Sequence, residues 1–340
     1  VLQGRTLDYV VVHHMEPDHS ASLEEVLLRY PECKVIATEK AYMLMNQFGY
    51  DSGDRFEQVK EGDKRNFGKH TVTFIEAPMV HWPEVMVTFD ETNGILFSAD
   101  AFGTFGALNG KLFNDEMDFD RDWLDDARRY YTNIVGKYGP FVQTLLKKAS
   151  ELPIKMICAL HGPVWRSNLD YFIDKYDKWS RYEPEVDGVM IAYASMYGNT
   201  ESTALELATI LCDKGLTNVA VHDVSSTHGS ELIADSFKYS HLVFASATYN
   251  LNIYPLMHDY LEHMKLLNLQ KRTVAIIENG SWASKSGTLM KEFLDGMKEM
   301  TILPDILSIN STINEAKRSE LIELADAIIE SVKAREKAKA

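Results

Sequence analysis

His14, Glu16, Asp18 and His19 lie in the string HHMEPDHS, directly after the apolar run at 9–12. On an extended segment, alternate residues project to one side. His14, Glu16 and Asp18 can therefore converge, with His19 at the turn that follows. Such groups repel one another or stay poorly solvated unless a cation sits among them. More ligand-type residues follow other strand-like runs: His81 in APMVHWPE, Asp100 in LFSADAF and His161 in CALHGP. Any one of these has a bland explanation, as a capping histidine or a turn aspartate. Four separate segments that each end in a ligand type point instead to a metal site assembled from strand ends.

The elements that must position these residues can be read from periodicity and turn chemistry. In the first half, strands are expected at 7–13, 34–38, 71–76, 85–89, 95–98 and 154–159. Helices are expected at 22–29, 122–150 and 168–182, the last from the stripe Leu169, Phe172, Tyr176 and Trp179. Pro184 and Gly188 punctuate EPEVDG, and a domain boundary is placed there, giving domains 1–183 and 187–335. The second half alternates strands at 189–194, 219–224, 242–245, 273–277 and 306–309 with helices at 200–214, 230–237, 255–266, 285–298 and 313–334. That alternation predicts a doubly wound parallel sheet. The tail KAREKAKA reads as frayed.

Composition narrows the function. A net charge of −15 in 340 residues argues against a nucleic-acid groove. No apolar run is long enough to cross a bilayer, so no membrane partner is expected. Cys33, Cys158 and Cys212 form no CxxC pair, which leaves out zinc ribbons and Cys-ligated iron. Their sparse, odd number fits a reducing cytoplasm.

A second set of residues opens the parallel half. In YASMYGNTES, Ser195, Met196, Tyr197, Gly198, Asn199 and Thr200 fall between the first strand and its helix. Backbone N–H groups and hydroxyls at a helix N-terminus cradle a phosphate. The loop lacks Lys and Arg and matches neither G-x-x-x-x-G-K-[ST] nor G-x-G-x-x-G, so nucleoside triphosphates and NAD fit poorly.

The order H-x-[EH]-x-D-H, His, Asp, His at strand ends resembles the metal signature of the metallo-β-lactamase fold. Glu16 stands where hydrolases of that fold usually carry His, and a carboxylate there favours iron over zinc. With Glu16 in place, the pattern is similar to the flavodiiron (A-type flavoprotein) family, which joins such a domain to a flavodoxin-like one. The S-x-Y-G-N-T string resembles the FMN-phosphate loop of flavodoxins. By that likeness the loops after the third and fourth strands would also hold FMN, through Ala247, Thr248, Tyr249, Asn250 and Asn252 and through Gly280, Ser281, Trp282 and Ala283. Tyr249 and Trp282 would lie against the isoalloxazine ring.

The resemblance covers the whole chain and implies an αββα domain followed by a flavodoxin-like sheet of order 2-1-3-4-5. It implies that His14, Glu16, His81 and Asp100 hold one iron and Asp18, Asp100 and His161 the other. Asp100 would bridge, and His19 would be a variable ligand. FMN and two irons would then reduce O2 to water, NO to N2O, or both. Tyr130 or Tyr131 would stand near the gas pocket, although a core-facing aromatic is the more natural reading of each. A head-to-tail homodimer or homotetramer and a small redox donor such as rubredoxin are further implications. Family members carry additional early strands before H-x-E-x-D-H, so the first domain is expected to be N-terminally truncated, with an exposed sheet edge. Two alternatives remain from other classes: a zinc-dependent hydrolase with an accessory flavodoxin domain, and a non-catalytic FMN electron carrier.

Overall fold

The computed structural model describes residues 2–339, which divide into two compact units meeting between Ser180 and Arg181. In the first unit, β1 (Tyr9–Val11), β2 (Lys34–Ala37) and β3 (Phe56–Gln58) form a parallel sheet in that order. A second sheet runs β4 (Lys64–Asn66), β5 (Thr71–Glu76), β6 (Met86–Asp90), β7 (Ile95–Phe97) and β8 (Met156–Cys158). It is antiparallel except for the pair β7 and β8.

Strand alternation explains the layering. Ile36 of β2 and Val72 and Phe74 of β5 fill a core between the two sheets. Val35 and Ala37 face the opposite way, onto Leu23 and Leu27 of α2 (Leu23–Arg29) and Ala41 and Met45 of α3 (Glu39–Gln47). On the outer face of the second sheet, Ile75, Val87 and Leu96 pack on α4 (Phe119–Asp122), α5 (Leu124–Tyr130), α6 (Gly139–Ala149) and α7 (Leu169–Ser180). The result is the expected αββα sandwich.

Three expectations need correction. Residues 122–150 are not one helix. After α5 the chain takes a π turn at Tyr131–Val135 and a 3-10 turn at Gly136–Tyr138, then restarts as α6. Gly136, Gly139 and Pro140 supply the reason: glycine weakens the continuing helix, and proline is accepted in a first turn. Second, residues 17–20 form a helical turn, α1 (Pro17–Ser20), so alternation on an extended segment stops at Glu16. Third, α3, β3 and β4 are absent from the sequence reading. The sequences FEQ and KRN carry no apolar alternation that could have revealed the two strands.

The second unit is a parallel sheet of β9 (Val186–Ala194), β10 (Val219–Asp223), β11 (Tyr239–Tyr249), β13 (Thr273–Asn279) and β14 (Thr301–Ile309). Its order, β10-β9-β11-β13-β14, is the expected 2-1-3-4-5, and the two-residue β12 (Asn252–Ile253) pairs antiparallel with the end of β11. Along β9, Val189, Ile191 and Tyr193 face α8 (Asn199–Asp213) and α12 (Glu315–Lys339). Met190, Ala192 and Ala194 face α9 (Gly229–Lys238), α10 (Pro255–Leu266) and α11 (Ser286–Asp295). Contrary to the frayed tail expected from its composition, α12 runs to Lys339; its inner residues Ile328, Ile329 and Val332 anchor it to the sheet.

One buried group makes this unit sensitive to acid. His241 on β11 is buried, with Nδ1 2.8 Å from Ser240 Oγ and Nε2 2.9 Å from Ser331 Oγ on α12. Burial, and then the charge of Arg335, lower its pKa to about 4, against a smaller opposing pull from Asp187. The folded state therefore keeps His241 neutral where the unfolded chain takes up a proton. The stability this confers is complete above pH 6.5, the ordinary histidine value, and is lost as pH falls towards 4. The full loss is about 3 kcal/mol. Urea unfolding at pH 7 and pH 4.5 should show a smaller decline in His241→Gln than in the parent, and equal declines would contradict this.

Candidate functional site

The four segments converge at one end of the αββα unit. His14 follows β1, and the α1 turn swings Asp18 and His19 away from Glu16. His81 lies between β5 and β6, Asp100 follows β7, and His161 follows β8. The ligand-type atoms form two groups, each within 4.8 Å: His14, Glu16, His81 and Asp100, and then Asp18, His19 and His161. The first group is mostly buried and the second is more exposed.

Asp100 is fully buried and lies between the groups. Its Oδ2 is 3.3 Å from His14 Nε2 and 3.4 Å from His81 Nε2. Its Oδ1 is 3.0 Å from His19 Nε2 and 3.4 Å from His161 Nε2. The outer carboxylates divide in the same way. Glu16 Oε2 is 3.0 Å from His81 Nε2 and 3.4 Å from His14 Nε2. Asp18 Oδ2 is 3.2 Å from His161 Nε2 and 3.4 Å from His19 Nε2.

Electrostatics in this cluster are dominated by Asp100. Burial opposes its charge, but the hydrogen bond with His19, the close His81 ring and the neighbouring imidazoles hold its carboxyl well below the usual range. Burial likewise disfavours protonation of His19 and His81, but Asp100 and the charges of the outer carboxylates together outweigh it and raise both. Two buried atoms, His14 Nε2 and Asp100 Oδ2, face the cluster without a hydrogen-bond partner among the described residues. Bare nitrogen and oxygen donors aimed at one point, within a set of imidazoles and carboxylates, fit a cation. The backbone is also constrained here. Met79, Ala99 and Phe102, all close to ligand-type residues, have φ of 64°, 51° and 66°. Left-handed geometry at non-glycine residues concentrates at such sites. Gly162, beside His161, has φ of 78°, and a Cβ there would come within 2.0 Å of Thr104 Cγ2. Only glycine lets this loop seat His161.

Tyr130 and Tyr131 separate. Tyr130 is buried with its ring centroid 5.4 Å from that of His161. Burial, followed by the charge of Asp100, pushes its phenol well above the ordinary tyrosine value. Tyr131 instead packs on Tyr176 and Trp179 in the core. Two neighbours escaped the sequence reading. The Trp82 ring meets His14 edge-on at 5.1 Å, and Glu84 Oε1 is 2.7 Å from His14 Nδ1. The only signal was their place in the HWPE string.

In the second unit, a cleft of about 1000 Å3 opens at the C-terminal ends of the strands. Ser195, Met196, Tyr197, Asn199 and Thr200 line it, together with Ala247, Thr248, Tyr249 and Asn250, and Gly280, Ser281, Trp282 and Ala283. Of the expected residues, Gly198 and Asn252 are outside this lining. Gly198, with φ of 87°, caps α8 and donates its N–H to Ser195 Oγ at 3.1 Å. Asn252 lies on β12 and accepts from the Ile253 N–H. Leu251, Asn279 and Ser311 line the cleft without having been expected. Asn279 Nδ2 ties Thr200 Oγ1 to Ser311 O, at 3.2 and 2.9 Å. The Tyr197 and Trp282 rings are 89% and 91% exposed, so they are free to cover a flat ligand. A helix N-terminus, hydroxyls and exposed rings without a lining cation fit a phosphorylated aromatic group.

Comparisons with known proteins agree with this architecture. Residues 1–162 match the family model described as ODP family beta lactamase. An uncharacterized protein of Methanocaldococcus jannaschii is 30% identical over 298 residues, covering 87% of this chain and 74% of that protein. The anaerobic nitric oxide reductase flavorubredoxin of Aeromonas hydrophila is 31% identical over 282 residues, covering 82% of this chain. The chain spans just over half of that flavorubredoxin's length, 56%. Among solved structures, the rubredoxin oxygen:oxidoreductase of Desulfovibrio gigas superposes with a TM-score of 0.88 at 26% identity, covering 96% of this chain and 81% of that one. A flavo di-iron protein mutant of Thermotoga maritima superposes with a TM-score of 0.85 at 25% identity, covering 96% of this chain and 80% of that one. The chain belongs to the flavodiiron protein family, a family of oxidoreductases.

Proposed function

We propose that this chain is a flavodiiron reductase that takes electrons through FMN and delivers them at a pair of irons to O2, NO or both. The observation that carries the reading is the placement of Asp100, with one oxygen toward each ligand group. His14, Glu16, His81 and Asp100 would hold one ion, and Asp18, Asp100, His161 and His19 the other. The loop at Ser195–Thr200 and the strand-end loops carrying Tyr249 and Trp282 would hold FMN. When bound, FMN supplies two electrons and two ferrous ions one each, which suits a gas whose reduction needs several.

The chain's own residues set the conditions. Asp100 and Glu16 bring negative charge that favours a hard cation in the buried position. Tyr130, held in its protonated form by burial and the Asp100 charge, would keep a phenolic O–H beside the His161 ring. Thr200 and the first N–H groups of α8 meet a phosphate without a cation. Both gases suit these groups equally, and the names of relatives point to each in turn. We further read the donor as a small redox protein of rubredoxin type, and the assembly as a head-to-tail homodimer or homotetramer in the cytoplasm.

Metal and flavin content per chain, measured on anaerobically purified protein, tests the reading. About two irons and one FMN are expected, with the reduced flavin reoxidised by NO or O2. Zinc retained after iron-replete expression would favour a hydrolase instead. Thr200→Val should weaken FMN binding roughly tenfold, the value of a lost hydrogen bond to a charged group. Flavin fluorescence quenching measures this directly, and unchanged affinity would remove Thr200 from the phosphate cradle.

A further inference from the structure

Glu84 lies outside every ligand group, yet it is tied to the most buried imidazole. His14 and Glu84 both have side chains without solvent exposure, and His14 Nδ1 is 2.7 Å from Glu84 Oε1. The same oxygen accepts the Met15 N–H at 3.0 Å. Thr38 Oγ1 donates to the Glu84 backbone carbonyl at 3.1 Å while also capping α3. The carboxylate is thus held by two contacts on one oxygen, and the Glu84 backbone is held by Thr38. Its other oxygen, Oε2, is buried without a hydrogen-bond partner among the described residues.

An ionised carboxylate has no proton to give, so Glu84 Oε1 accepts from His14 Nδ1–H. That leaves the lone pair on Nε2, the atom aimed bare at the ligand cluster. A buried anion with one unpaired oxygen is costly as a purely structural device, since a neutral amide would make the same bonds. The anion is favoured when a cation on the far side of the imidazole supplies the missing positive charge. Among the described residues, the His19 and His161 ring nitrogens contact only Asp18 and Asp100 and have no comparable outer carboxylate.

We propose that Glu84 is a positioning residue that fixes the His14 tautomer and makes the buried ligand group the tighter of two unequal metal positions. This rests on the metal-centre reading above. It adds that the two positions load in order, the buried one first, and that Glu84 is responsible for the gap between them.

The test is Co2+ titration of the metal-free full chain, followed by visible absorption against a competing chelator. The parent should take up two ions in separate steps. Glu84→Gln keeps the shape and an acceptor for Nδ1–H but removes the charge. It should weaken the first step about 10- to 100-fold, the usual cost of losing an outer-sphere carboxylate, and leave the second step unchanged. Glu84→Asp, too short to reach Nδ1, should also weaken the first step and serves if the Gln variant does not fold. Histidine 15N spectra of the metal-free parent should show His14 protonated at Nδ1. A folded variant that binds both ions as the parent does overturns the proposal, as does a change confined to the melting of metal-free protein. If the parent itself binds no Co2+, the metal-centre reading falls, and that outcome is separate from any difference between variants.

Discussion

Asp100→Asn should empty both metal positions at once, whereas Asp18→Asn should leave one ion per chain. The argument is geometric. Asp100 Oδ2 serves His14 and His81, and Oδ1 serves His19 and His161, so one side chain is shared by groups that otherwise have separate carboxylates. An asparagine keeps the volume and one acceptor, but it replaces the second oxygen by a donor that points N–H groups at imidazole nitrogens or at a cation. It also removes the one charge common to both sites. Loss of an outer-sphere partner costs about 10- to 100-fold in metal affinity, and loss of a shared ligand should cost more than that at each position. Elemental analysis of anaerobic protein should therefore give well under one iron per chain for Asp100→Asn. Gas reduction should fall below detection. Asp18 has a half-exposed side chain and, among the described residues, pairs with His19 and His161. Asp18→Asn should retain the buried ion. If both variants lose metal equally, the two groups are not distinct positions. If Asp100→Asn keeps two ions, Asp100 does not bridge.

Much of this arrangement was readable because the chemistry sits at element ends. A strand that ends in histidine or aspartate leaves a signature in short windows, as at His81, Asp100 and His161. The parallel sheet was readable for a similar reason, since its apolar strands are buried on both faces and alternate with amphipathic helices. Three features were not visible in this way. The division of HHMEPDHS between two groups depends on the helical turn at Pro17–Ser20, which short polar windows do not signal. The interruption between α5 and α6 depends on a π turn that no propensity scale marks. The role of Glu84 depends on a long-range contact across 70 residues to His14. Pairwise contacts of that kind leave no periodicity, and a glutamate in a loop has many uses. Cleft residues such as Asn279 and Ser311 were missed for the same reason, because what selects them is a bond between loops.

In the second unit, Arg272→Met should lower stability by about 3–5 kcal/mol while leaving the first unit intact. Arg272 is 1% exposed and is the only buried guanidinium in the described part of this unit. Its Nε donates to Ser236 O at 2.9 Å, Nη2 to Phe237 O at 2.7 Å, and Nη1 to Tyr182 O and Gln270 O at 2.7 and 2.8 Å. A longer contact reaches Lys271 O. Ser236 and Phe237 end α9, where carbonyls lack intrahelical donors and the helix dipole favours a cation. Burial lowers the pKa of Arg272 to about 9, still above neutral, so the group remains charged. Desolvating a charge is expensive, and replacing a buried ion by an apolar residue sometimes stabilises a protein. Here the acceptors decide the sign. Methionine would fill the space but leave several buried carbonyls without a donor, at about 1–3 kcal/mol each before relaxation. Arg272→Lys should recover only part, because three donors on one ammonium cannot span the end of α9 and the Tyr182 carbonyl together. The tryptophans provide the readout. Trp82, Trp123, Trp165 and Trp179 are in the first unit, and the second has only exposed Trp282. The loss should therefore appear as an earlier urea transition in far-UV circular dichroism, with tryptophan fluorescence following the parent curve. A methionine variant that unfolds with the parent in both signals would mean that the carbonyls find other donors and that the guanidinium is not what closes α9.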